Sequence, residues 1–131
     1  MRIETIIASA RRHNASDIHI LAGMPAMFRI AGDIIPAKGD ALSAATIDSM
    51  IKGVLNVDQL RRLGEEWQLC VSMTFPDSGR VRMTVYRRNS AYELCIRMSE
   101  LSIRTRAELG LPAIVEELAR KPHGLVLITG P

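Results

Sequence analysis

Arg82 and Arg97 are the residues of this chain best placed to do chemistry together. Val81, Met83 and Val85 alternate with polar residues, and so do Leu94, Ile96 and Met98. A period of two marks strands with one buried face. Keeping both apolar sets on one face fixes the register: Val81 opposite Met98, Met83 opposite Ile96, Val85 opposite Leu94. Asn89-Ser90 is left as a two-residue turn, in which Asn accepts the required positive φ and Ser is a weaker choice. Arg82 then lies directly across from Arg97 on the face away from the core, Thr84 faces Cys95, and Tyr86 faces Glu93. Two guanidinium groups about 5 Å apart repel by about 3 kcal/mol at an effective dielectric near 20, and by less once solvent and salt screen them. An anion between them turns that cost into a charge-assisted, bidentate grip on a phosphate. Two alternatives stay open at this point: both side chains splay into water, or one of them meets Glu93 or Glu100.

Two other constellations invite chemistry. Asp17 and His19 alternate on one strand face, but with three histidines and neither cysteine nearby no metal-ligand set emerges. Cys70 and Cys95 are far apart without CxxC spacing, which gives no disulfide framework and suits a reducing compartment. Near the end, Leu125 to Ile128 is a continuous apolar run that leads into Thr129-Gly130-Pro131. Such a run is typical of a strand buried on both faces in a parallel sheet. It reads as the strand before a Walker A loop, with Gly130 as the first glycine of G-x-x-x-x-G-K-[ST] and Pro131 after it.

The elements that position these residues follow from periodicity and caps. Ile3, Ile6, Ile7 and Ala10 mark a first helix, with Asn14 as a left-handed cap. Short strands follow at Asp17 to Ile20, around Met27 to Ile30, and at Ile34-Ile35, the last confined to an edge or an end by Pro36. Ser43 caps a helix with the stripe Ile47, Met50, Ile51 and Val54. Asn56 and Gln59 form a capping box for a further helix that Gly64 is expected to stop. Trp67, Leu69, Val71, Met73 and Phe75 form the buried side of a strand, and Pro76-Asp77-Ser78-Gly79 is turn chemistry. Thr105 to Glu108 is a second capping box, and Pro112 suits the first turn of a helix with Ile114, Val115 and Leu118 facing inward. The sum is an α+β fold, an antiparallel sheet with helices segregated around it.

Composition bounds the function classes. The 131 residues are 47% hydrophobic and 24% charged, the balance of a globular domain. No apolar run approaches the roughly 20 residues of a spanning helix, and Met1-Arg2-Ile3-Glu4 does not read as a signal peptide. Arginine supplies 14 of the 17 basic residues, and seven of these lie between Arg80 and Arg106 against two acids. That clustering raises phosphate-bearing partners, although few aromatics accompany it for stacking on bases, which argues against nucleic acid.

Ala15-Ser16-Asp17-Ile18-His19-Ile20, followed by Gly23, Pro25, Arg29 and Gly32, resembles the opening signature of the PilT-like retraction ATPases. In that family an Ala-Ser-Asp-Leu-His-Leu strand precedes Gly-x-Pro, an arginine and a Gly-Asp turn. Leu109-Gly110-Leu111-Pro112 and Gly124 to Pro131 also look like family signatures, so the resemblance spans the chain in order. It implies a PAS-like domain over residues 1–104, with residues 105–131 as inter-domain helices and the first strand of a RecA-like ATPase domain, cut at the start of Walker A. It further implies a hexameric cytoplasmic motor ATPase at the inner-membrane pilus assembly platform, powering pilus retraction with ATP and Mg2+. The residues present here are expected to bind neither ATP nor metal tightly alone, and to work with the protein's own C-terminal ATPase domain. By motif matching, Arg82 and Arg97 correspond to family arginines that reach the nucleotide phosphates. Arg87-Arg88-Asn89-Ser90 departs from the Asn-Arg-Gly turn of many relatives, which implies a divergent branch. Pilus-extension or type II secretion ATPases, and a stand-alone PAS-like binding module, are the alternatives.

Overall fold

The computed structural model describes residues 2–130. The chain divides into two units, Met1–Leu101 and Ser102–Pro131. In the first, α1 (Ile3–Arg12) precedes three short strands, β1 (Asp17–Ile20), β2 (Met27–Ile30) and β3 (Asp33–Pro36). Two helices, α2 (Ala44–Val54) and α3 (Val57–Glu66), lead to the longer strands β4 (Gln68–Phe75), β5 (Gly79–Arg88) and β6 (Ala91–Met98). All six strands form one antiparallel sheet in the order β3-β2-β1-β6-β5-β4. The α+β class read from the sequence is the fold observed.

The sheet is two-faced. Ile18, Ile20, Phe28, Val81, Met83, Val85, Leu94 and Ile96 enter one core with Ile3, Ile6, Ile7 and Ala10 of α1, Ile47, Met50 and Ile51 of α2, and Leu63 of α3. The opposite face carries the polar residues that alternate with them. Local chemistry fixes the elements. Ser43 Oγ accepts from the Thr46 amide, and Asn56 and Gln59 make both hydrogen bonds of a capping box. Ala31-Gly32 and Asn89-Ser90 have positive φ at both positions, the twist that two-residue hairpins need.

Arg11 locks the sheet to α1. Its Nε and Nη2 donate to the Ser78 carbonyl at 3.1 and 2.6 Å, and its Nη1 donates to the Ser99 carbonyl at 2.8 Å. One guanidinium thus joins the last turn of α1, the β4–β5 turn and the exit of β6. Gly79, at φ +72°, belongs to the same corner, and a Cβ there would collide with the Leu101 side chain.

Four expectations need correction, the last of them in the helix that follows Pro112. Gly64 does not stop α3, which runs on to Glu66 and ends at Trp67 in the left-handed conformation, φ 60°. Trp67 therefore lies before β4 and is 61% exposed, with the Arg87 guanidinium over its ring at 5.3 Å, instead of opening the buried side of the strand. The run Leu125 to Ile128 forms no strand and is exposed, because a parallel strand exists only when hydrogen-bonded to neighbours.

In the second unit the Thr105–Glu108 box forms as read, with Glu108 accepting from the Thr105 amide and hydroxyl. Here α4 (Ile114–Ala119) starts two residues past Pro112 and has no buried residue, so Ile114, Val115 and Leu118 are only partly covered. Arg106 holds the turn to α4 through Glu116 at 2.6 Å and the Leu111 carbonyl at 2.7 Å. Gly130 is exposed, and Pro131 lies outside the described residues. No helix among the described residues is long and apolar enough to cross a membrane.

Because charge-assisted hydrogen bonds to part-buried carbonyls contribute most when several share one donor group, Arg11→Ala is expected to lower the unfolding free energy by about 2 kcal/mol. Urea titration followed by circular dichroism checks this. An unchanged midpoint would mean that the clamp contributes nothing.

Candidate functional site

Register alone assembles the polar face. Asp17 on β1 pairs with Arg29 on β2 and with Arg97 on β6; Arg97 pairs with Arg82 on β5; Arg82 pairs with Ser72 on β4. The neighbouring row is Met27, His19, Cys95, Thr84 and Cys70. Arg82, Thr84, Cys95 and Arg97 line an open depression of about 280 Å³. The pairing of Arg82 with Arg97, and of Thr84 with Cys95, is the one that the alternation of apolar residues required.

The two arginines do not share one environment. Arg97 Nε donates to Asp17 Oδ1 at 3.0 Å, although its side chain remains 75% exposed. Arg82 Nε donates to the Cys70 thiol at 3.2 Å, and no carboxylate pairs with Arg82 among the described residues. A thiol is a weak acceptor, so the charge of Arg82 is the less compensated of the two. Glu93, raised from sequence as a partner for the pair, is instead buried against Arg88 at 3.0 Å.

The pairing of Asp17 with Arg97 and Arg29 is what sequence reasoning missed. Asp17 is 7% exposed, and its Oδ2 receives the Ser16 hydroxyl at 2.9 Å and lies 3.6 Å from Arg29 Nε. Burial pushes its carboxyl up. The hydrogen bonds from Arg97 and Ser16, with the charges of Arg97 and Arg29, outweigh burial and hold it below the usual range. The motif Ala15-Ser16-Asp17 drew attention to the residue, but nothing local in sequence says that β1 docks beside β6.

The two cysteines differ for the same reason. The hydrogen bond from Arg82, with that of Thr84 at 3.7 Å, lowers the Cys70 thiol. Burial, with the Asp17 charge, raises Cys95. Neither is in a disulfide. His19 Nε2 is buried without a partner. No group of three or more metal-ligating side chains occurs among the described residues.

Chemically, the row presents three guanidinium groups against one carboxylate on an open surface. The chemistry of such a surface suits an oxyanion. The lining residues Arg82, Thr84, Cys95 and Arg97 contribute no carboxylate or imidazole to take a proton.

No family model matches the chain. Among curated proteins it is 28% identical over 131 residues to the type IV pilus retraction ATPase PilT of Pseudomonas aeruginosa, covering 100% of this chain and 38% of that protein. It is equally 28% identical, over 130 residues, to the type IV pilus ATPase PilU of the same organism, covering 99% of this chain and 34% of that protein. The chain thus spans little more than a third of the length of these relatives. Among solved structures it superposes on the pilus retraction motor PilT with bound ADP at a TM-score of 0.86 and 32% identity, over 100% of this chain and 38% of that one. The chain is PilT-like: it corresponds to the N-terminal part of the pilus ATPases of that kind.

Proposed function

We propose that this chain is the N-terminal region of a motor ATPase that powers type IV pilus retraction, and that Arg82 and Arg97 supply charge to the phosphates of ATP. The reading is carried by one observation: two arginines in register on neighbouring strands line one depression on the polar face of a domain that is PilT-like throughout. PilT itself was solved with ADP, a ligand whose phosphates suit such a pair.

On this reading the role of the arginines is electrostatic. They bind the terminal phosphates and stabilise charge that develops on the equatorial oxygens during transfer. The cradle of the nucleotide, its Mg2+ and the base that activates water belong to the protein's own C-terminal ATPase domain, into which Gly130 and Pro131 lead as the opening of a Walker A loop. The assembled motor is a homo-hexamer, cytoplasmic and peripheral to the inner membrane, and it works on the pilus assembly platform. A second reading, a type IV pilus ATPase of the PilU kind, rests on the equal identity to PilU.

Arg82→Ala and Arg97→Ala in the full-length protein are expected to leave the fold intact and lower ATP turnover about tenfold or more, the effect of losing a transition-state contact of about 1.4 kcal/mol. Steady-state phosphate release measures it, and wild-type turnover in both variants removes the phosphate role.

The thiol beside Arg82 offers a separate readout. At neutral pH Cys70 is expected to be alkylated by iodoacetamide about tenfold faster than Cys95. Arg82→Ala, which removes the lowering hydrogen bond, is expected to slow it. Mass spectrometry of the alkylated chain decides, and equal rates at both cysteines would contradict the assigned environment of Arg82.

A further inference from the structure

Asp17 is buried, charged and placed between two in-register arginines, one on each neighbouring strand. Its oxygens are divided between them: Oδ1 takes Arg97 Nε at 3.0 Å, and Oδ2 faces Arg29 Nε at 3.6 Å. The two cations are not equally free. The Arg97 side chain is 75% exposed, whereas that of Arg29 is 36% exposed and anchored by Nη1 donating to the Gly32 carbonyl at 2.8 Å. A buried carboxylate tolerates the departure of one partner only if another remains. An anion that turns the Arg97 guanidinium toward Arg82 therefore competes with Asp17 for it.

We infer that Arg29 is a reserve cation: it keeps the Asp17 carboxylate paired when Arg97 turns to an oxyanion beside Arg82, and so sets the affinity of a site that it does not touch. Arg29 is then a positioning residue that acts through Asp17, and Asp17 is the internal competitor for Arg97. The inference rests on the reading of Arg82 and Arg97 as a phosphate-contacting pair, and it adds that the pair is regulated from the neighbouring strand. Nothing in it requires Arg29 to approach the anion, because Asp17 lies between Arg29 and Arg97 in the row.

The test is titration of the 131-residue chain with tripolyphosphate at fixed low salt, followed by amide chemical shifts in ¹⁵N-labelled protein. Asp17→Asn, which keeps the shape and removes the competitor, is expected to tighten binding about tenfold. Arg29→Gln is expected to weaken it about tenfold, and Arg29→Lys, which keeps the charge, to stay within about threefold of wild type. In the Asp17→Asn background, Arg29→Gln is expected to have little further effect, the non-additivity that marks a shared partner. Equal losses from Arg29→Gln in both backgrounds would overturn the inference, since Arg29 would then act without Asp17. Wild-type affinity in Arg29→Gln, with binding lost in Arg82→Ala, would also overturn it while leaving the arginine pair standing. Absence of binding to the wild-type chain at millimolar tripolyphosphate would overturn the inference, while the arginine pair is judged separately by turnover of the full-length Arg82→Ala and Arg97→Ala variants. If Asp17→Asn does not fold, the contrast between Arg29→Gln and Arg29→Lys still decides.

Discussion

The packing of β5 against β6 sets everything that this domain can do. Val81, Met83 and Val85 meet Met98, Ile96 and Leu94 across the ladder, and each of the six is buried. Burying such a side chain is worth about 1.5–3 kcal/mol, so the set far outweighs a repulsion of about 3 kcal/mol between two guanidinium groups. A slip of one residue would turn the three of one strand to solvent. The positive φ of Asn89 and Ser90 closes the hairpin in the same register. Arg82 and Arg97 face each other because hydrophobic burial wins, and the electrostatic strain is the consequence.

That strain is relieved unequally. Docking of β1 beside β6 brings Asp17 to Arg97 and leaves Arg82 with a thiol. The two Nε groups are thereby engaged on opposite sides, Arg82 toward β4 and Arg97 toward β1. The Arg11 clamp and the α1 and α2 stripes hold the sheet from the other face. The sheet therefore separates two tasks between its faces: one is sealed by helices, and the other carries charge.

Features set within a few residues were legible in the sequence. The Ser43 cap, the Asn56–Gln59 box, the Asn89-Ser90 turn and the alternation on β5 and β6 depend on neighbours in the chain, and all are present. Features set by distant partners were not. Asp17 and Arg97 are 80 residues apart, and no local pattern says which strand lies beside β1. Trp67 carried the expected alternation yet became a left-handed helix cap, because α3 ran two residues past Gly64 before a sharp reversal was required. The apolar run at Leu125 to Ile128 has the composition of a central strand, but composition alone makes no ladder. Each miss concerns a residue whose state is decided by what packs beside it.

The same distinction bears on the chemistry. A site that hydrolysed an ester of phosphoric acid would need a proton acceptor near the attacking water as well as positive charge near the phosphate. The depression around Arg82 and Arg97 has the charge, and its hydroxyl and thiol side chains are poor bases at neutral pH. Its open shape also leaves water in place, which weakens every charge–charge contact compared with an enclosed cleft. On the proposed reading, these arginines reach full effect only when a second surface brings the phosphate and excludes solvent. A face that is positive, rigid and open is therefore better suited to complete another domain's active site than to form one of its own.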